Sequence, residues 1–97
     1  MMTFVVAANW VPREGAKEEI DSILRELVGK TREEPGCIEF IAHRSRTNPN
    51  EFFLYEQYSS EQDWLQHQKT EHFAELVLKR AIPLLERRER HTFDLLY

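Results

Sequence analysis

The amino-acid sequence predicts an α+β fold of the ferredoxin-like split βαβ kind, βαββαβ, in which a four-stranded antiparallel sheet carries both helices on one face. Three observations carry that prediction. Residue periodicity changes along the chain in the order strand, helix, strand, strand, helix, strand. Turn and breaker residues stand at the switches: Pro12 with Gly15, Pro35-Gly36, Asn48-Pro49-Asn50 and Pro83. The stretch from Glu51 to Phe73 passes from an alternating strand through two serines into a helical pattern that bears Trp64, His67 and His72.

Phe4 to Val11 is apolar and partly β-branched, a strand that ends at Pro12 and turns through Arg13-Glu14-Gly15; Asn9 is its odd polar member. From Ala16 to about Glu33, Ile20, Ile23, Leu24, Leu27 and Val28 recur at helical spacing. Glu18, Glu19 and Asp21 stand early and Lys30 and Arg32 late, as the helix dipole favours. Pro35-Gly36 stops this helix, and Cys37 to Arg46 alternates Ile38, Phe40 and Ala42 against Cys37, Glu39, Ile41 and His43 as a second strand. Asn48-Pro49-Asn50-Glu51 supplies a tight reversal into a third strand that continues to about Tyr58. Phe52, Leu54, Glu56 and Tyr58 share one face of it, so a carboxylate and a phenol lie on the same side; Phe53, Tyr55 and Gln57 take the other.

Ser59 or Ser60, with Gln62 or Asp63 three positions on, has the spacing of a capping box. The helical region it opens runs to about Arg80 and sets Trp64, His67 and Gln68 on one stripe. A break is expected near Lys69-Thr70, where Thr70 caps a renewed helix with Phe73, Leu76 and Val77 inward. Glu89 to Leu96 alternates as the last strand. Residues on the uncovered sheet face, including Val5, Ala7, Phe53, Tyr55 and part of the last strand, need something to bury them. A homodimer with two sheets face to face is the economical answer.

Ninety-seven residues, 41% hydrophobic and 31% charged, fit a single domain over 1–97 that buries roughly two-thirds of its unfolded surface. A net charge of −4 argues against nucleic acid, because phosphate binding needs clustered Lys and Arg. The one dense basic run, Arg87-Arg88-Glu89-Arg90, is interrupted by an acid and reads as an exposed strand entry. A single cysteine, Cys37, forms no intrachain disulfide and suits a reducing cytoplasm; its context reads as a small buried strand residue rather than a nucleophile. The amino terminus has no basic leader region and too short an apolar run for a membrane span, so neither export nor membrane insertion is expected. Three glycines make no phosphate cradle for a nucleotide or flavin, and there is no GxSxG elbow. Four histidines without HExxH spacing, paired cysteines or a compact acid triad predict neither a cofactor nor a metal site.

Glu34-Pro-Gly-Cys37 ahead of the second strand, the Asn48-Pro49 hairpin, Glu56 on the third strand and His67 followed by Thr70-Glu-His-Phe73, in that order, resemble the antibiotic biosynthesis monooxygenase family of small dimeric α+β barrels. The resemblance spans nearly the whole chain. That family includes cofactor-free quinol-forming oxygenases and some small isomerases. Haem-degrading members of the wider superfamily place an asparagine on strand one, a tryptophan in the second helical region and an iron-ligating histidine further along. Asn9 matches the first, His67 stands at the tryptophan position with Trp64 one turn earlier, and the ligand position falls near Val77, which cannot bind iron.

The resemblance implies a cofactor-independent monooxygenase that oxidises a small phenolic or quinol substrate with O2. Ground-state dioxygen is a triplet, so such a substrate must itself give up an electron. The protein then supplies a base, donors for the oxyanion and a water-poor apolar cavity. His67 is the candidate base, oriented by Glu56 or Glu71. Asn9 is a candidate amide donor to the oxyanion and Trp64 a ring contact or indole donor. Tyr58, His43, His72 and Phe73 are candidate substrate contacts. Two other functions fit the same residues: a small hydroxy-ketone isomerase using the base as a proton shuttle, and a non-catalytic dimer that binds a small hydrophobic ligand or haem.

Overall fold

The computed structural model describes residues 3–97; Met1 and Met2, part of the amino-terminal stretch read against a leader, lie outside them. The elements are β1 (Phe4–Pro12), α1 (Lys17–Thr31), β2 (Cys37–Arg44), β3 (Phe52–Tyr58), α2 (Glu61–His67), α3 (Phe73–Ala81), a 3₁₀ turn at Ile82–Leu84 and β4 (Leu85–Asp94). All pairings are antiparallel and the strand order is β2-β3-β1-β4, the predicted ferredoxin-like topology with β1 and β3 central.

Pleating sorts each strand between two faces. Val6, Ala8 and Trp10 of β1 stand opposite Glu56, Leu54 and Phe52 of β3, and this face receives the helices. Ile20, Ile23, Leu24 and Leu27 of α1 are all but fully buried against it, together with Phe40, Phe73, Leu76 and Val77. Burial of one such side chain contributes about 1.5–3 kcal/mol, and four on one stripe fix the helix to the sheet. On the other face the pairs Val5–Gln57, Ala7–Tyr55 and Asn9–Phe53 carry no helix. No helix among the described residues is long and apolar enough to cross a membrane.

Three local outcomes differ from the sequence reading. Cys37 pairs with Tyr58 and Glu39 with Gln57, so Ile38 is the extra residue of a bulge; it is 50% exposed and does not share the inward face of Phe40 and Ala42. The last strand starts at Leu85, not Glu89, because Arg87 and Arg88 already pair with Val11 and Trp10. The basic run is therefore inside the sheet rather than at its entry. The second helical region breaks at the expected place, but its second half, α3, winds as a π-helix, a form often found beside functional sites.

Candidate active site

Two local devices set the site. Ser60 caps α2 by accepting from the Asp63 amide at 3.2 Å. At the far end the Thr70 hydroxyl donates to the His67 carbonyl at 2.8 Å and accepts from the Phe73 amide at 3.2 Å, so one residue ends α2 and starts the next helical turn. His67 and His72 are thus held on either side of a fixed break. A β-carbon on Gly36 would lie 2.4 Å from Asp63 Cγ; only glycine lets the loop before β2 lie this close to α2. That approach, pinned by the Ser59 amide donating to the Gly36 carbonyl, brings Glu34 to the histidines.

Glu34 Oε2 lies 2.8 Å from His67 Nδ1 and 2.6 Å from His72 Nε2. Burial pushes the Glu34 carboxyl up, but hydrogen bonds and charge attraction from both imidazoles outweigh it and hold its pKa below the usual value. An ionised carboxylate only accepts, so both ring nitrogens donate to it. For His67 this fixes the proton on Nδ1 and leaves Nε2 as the nitrogen available to accept one. The ring is clamped as well as oriented: it is 3% exposed, with Phe73 edge-on at 5.1 Å, Tyr58 at 5.3 Å and Phe40 at 5.8 Å.

His67 lines a cavity of about 20 Å³ between sheet and helices, with Ala8, Trp10, Glu56, Trp64 and Arg88 among the other walls. That volume holds roughly one water molecule. Glu56 is buried and accepts from the Tyr58 hydroxyl at 2.6 Å. Burial raises the Glu56 pKa even though that hydrogen bond and His67, Arg88 and Arg90 favour its charge. Burial and the Glu56 carboxylate likewise raise the Tyr58 pKa. Arg88 Nε is buried and has no hydrogen-bond partner among the described residues, an N–H donor awaiting an acceptor. Trp64 rests on Phe4 at 5.3 Å, and the exposed Arg90 lies 5.8 Å over its ring while donating to Gln68.

Of the residues nominated from sequence, His67, Trp64, Glu56 and Phe73 meet at this cavity. Tyr58 supports it through Glu56 rather than opening its hydroxyl to a ligand. His72 lies on the far side of Glu34, in an outer groove. Asn9 pairs with Phe53 and Glu89 on the opposite sheet face, because its pleat position is out of phase with Ala8 and Trp10; it does not join His67. His43 shares that opposite face, where its Nδ1–H donates to the Phe53 carbonyl at 3.1 Å. The acid that orients His67 is Glu34, neither Glu56 nor the exposed Glu71. The sequence reading also missed Arg88. Cys37 is half-buried, its thiol pushed up to about 11 mainly by burial, as befits a packing residue.

Residues 2–78 match the antibiotic biosynthesis monooxygenase family. The chain belongs to that family. It is also 31% identical over 75 residues to an uncharacterized protein of Synechocystis sp., a match that takes in 77% of this chain; the chain spans about half, 51%, of that relative's length. Protein PA3566 of Pseudomonas aeruginosa superposes with a TM-score of 0.93 at 26% identity, over 100% of this chain and 97% of its own. A crystal structure described as an antibiotic biosynthesis monooxygenase gives 0.90 at 25% identity, over 97% and 99%. Rv0793 of Mycobacterium tuberculosis, at 24% identity, shares the fold with a TM-score of 0.91 over 98% and 96% of the two chains. The fold shared with these structures runs through all four strands, beyond the residues of the family match.

Proposed function

We propose that the chain is a cofactor-independent monooxygenase that oxidises a small phenolic or quinol substrate, working in the cytoplasm as a homodimer joined across the open sheet face. The observation that carries this reading is the Glu34–His67 pair at the edge of a small cavity whose apolar walls are joined by Glu56 and Arg88. His67 Nε2 takes the proton of the substrate hydroxyl, and the imidazolium that forms is stabilised by Glu34. In this reading Arg88 Nε–H, which has no partner among the described residues, holds the phenolate oxygen, with Trp64 against the ring. The phenolate passes one electron to O2, the radical pair combines into a ring peroxide, and loss of water leaves the quinone. One O2 is consumed and one water released per turnover, with no electron from outside. The roughly one-water cavity requires Trp64 and Arg90 to shift when substrate enters.

The test is oxygen uptake by metal-stripped protein over a panel of quinols and phenols, with His67→Ala alongside. Uptake should fall by about 100-fold or more in the variant, the range a positioned base supplies. Equal uptake in both proteins removes His67 from the role, and no uptake in either removes the oxygenase reading. Glu56 beside His67 favours one second reading, a proton shuttle that isomerises a small hydroxy-ketone, since two titratable groups line one cavity. Anaerobic turnover of such a substrate would separate it from oxygenation. A Soret band on haem titration would instead favour a ligand-binding dimer; Val77, at the iron-ligand position, contributes an aliphatic wall to the cavity.

A further inference from the structure

We infer that Glu34, His67 and His72 form a binding site for one divalent transition-metal cation of borderline softness, of which Zn²⁺ is the probe. Each residue offers a ligand atom, and the three atoms lie within 4.8 Å of one another. Two imidazoles and a carboxylate are the donor set such ions take, with water completing a tetrahedron. Bonds of about 2.0–2.1 Å place tetrahedral ligands about 3.3 Å apart, so the present contacts of 2.6 and 2.8 Å need to open by about 0.5–0.7 Å. His72 has room for this, being 18% exposed at the break before α3, whereas His67 is fixed by packing.

A second observation points the same way. Outside the cluster lies an open groove of about 420 Å³, walled by Glu26, Glu33, Glu71 and Glu75 with Lys30 as its one cation. Glu34 and His72 line it too; with Glu26 paired to Arg80 and Glu75 to Lys79, the charge around the groove still sums to negative and favours cations. The groove reaches the cluster through Glu34 and His72, while His67 lines the inner cavity: its Nδ1 serves the cluster, its ring the cavity wall. A cation on Nδ1 requires the ring proton to move to Nε2, which turns the inner nitrogen from acceptor into donor. Cation binding stands apart from the oxygenase reading; that it would switch off the base rests on it.

Calorimetric titration of Zn²⁺ into the metal-stripped full chain tests the site, with Co²⁺ absorption reporting nitrogen ligation. One Zn²⁺ per chain is expected, with affinity at least tenfold weaker in His72→Ala and in Glu34→Gln, each checked for folding by circular dichroism. His72→Ala keeps the inquiry decisive where Glu34→Gln fails to fold, because His72 lies outside the packed core. Absence of Zn²⁺ binding by the wild-type chain, or unchanged affinity in His72→Ala, overturns the site. Zn²⁺ that binds while quinol uptake stays low in every form upholds the site and removes the oxygenase reading alone.

Discussion

Toward the helices, β1, β3 and β4 present Val6, Ala8, Trp10, Leu54, Glu56, Tyr58 and Arg88; on the other side the same strands present Val5, Ala7, Asn9, Phe53, Tyr55, Gln57 and Phe93. The usual distribution is partly inverted. A carboxylate, a phenol and a guanidinium line the covered face, while Phe53 and Phe93 are 37% and 52% exposed on the open one. Buried ionisable groups cost free energy unless they are paired and hydrogen-bonded, and apolar surface left in water costs about 25 cal/mol per Å² unless something covers it. The proposed function uses this difference, with chemistry on one face and association on the other.

The largest expected effect comes from placing a charge at the centre of the open face. Ala7 lies between Tyr55 and His91, so Ala7→Glu projects a carboxylate where two sheets would meet, once from each copy. An unpaired buried charge costs several kcal/mol. Sedimentation should report a dimer for the wild-type chain and a monomer for the variant, with the fold retained because this side chain points away from the core. A wild-type chain that sediments as a monomer would leave the open face without a part in association.

The next effect sharpens it at a single strand step. Arg88→Met removes the unpartnered Nε–H from the cavity wall and should lower kcat on a turned-over quinol by about 100-fold, roughly 2.7 kcal/mol. Asn9→Ala acts on the other face and should change kcat per dimer by no more than about twofold, or ~0.5 kcal/mol. The reverse ranking would return Asn9 to the catalytic role that the sequence alone suggested.

Element order, hairpin, helix break and the inward face of β3 were legible because each rests on local periodicity or a cap: Thr70 closes α2 and Glu56 meets Tyr58 two residues on, as alternation requires. The Glu34–His67 pair was not legible, since 33 positions separate the partners and nothing local records that Gly36 lets their segments touch. Arg88 was missed for a different reason. Its alternation with Arg90 continues the last strand's pattern, but three arginines in four residues look solvated until pairing with Ala8 and Trp10 sets Arg90 and Arg88 on the helix side, where Arg88 is partly buried. Asn9 shows the limit of parity: alternation separates it from Ala8, but only register says which set faces Glu56.

A stability effect concerns the two carboxylates near His67, whose pKa values are displaced in opposite directions. Glu34 is held low by its histidine partners, so its contribution to stability is present above the unfolded pKa and lost as pH falls through the folded one. Glu56 is raised by burial, so its contribution is present below the unfolded pKa and lost as pH rises through the folded value. Glu56→Gln keeps an acceptor for the Tyr58 hydroxyl but cannot ionise. Urea midpoints of the two proteins should converge in acid, where both side chains are neutral, and separate as pH rises past the ordinary glutamate range. There the variant should be the more stable, by about 1 kcal/mol. Midpoints that run parallel across that range would mean that Arg88 and Arg90 compensate the buried charge fully. The helix-side face would then be a settled ion network rather than a site held ready for a ligand.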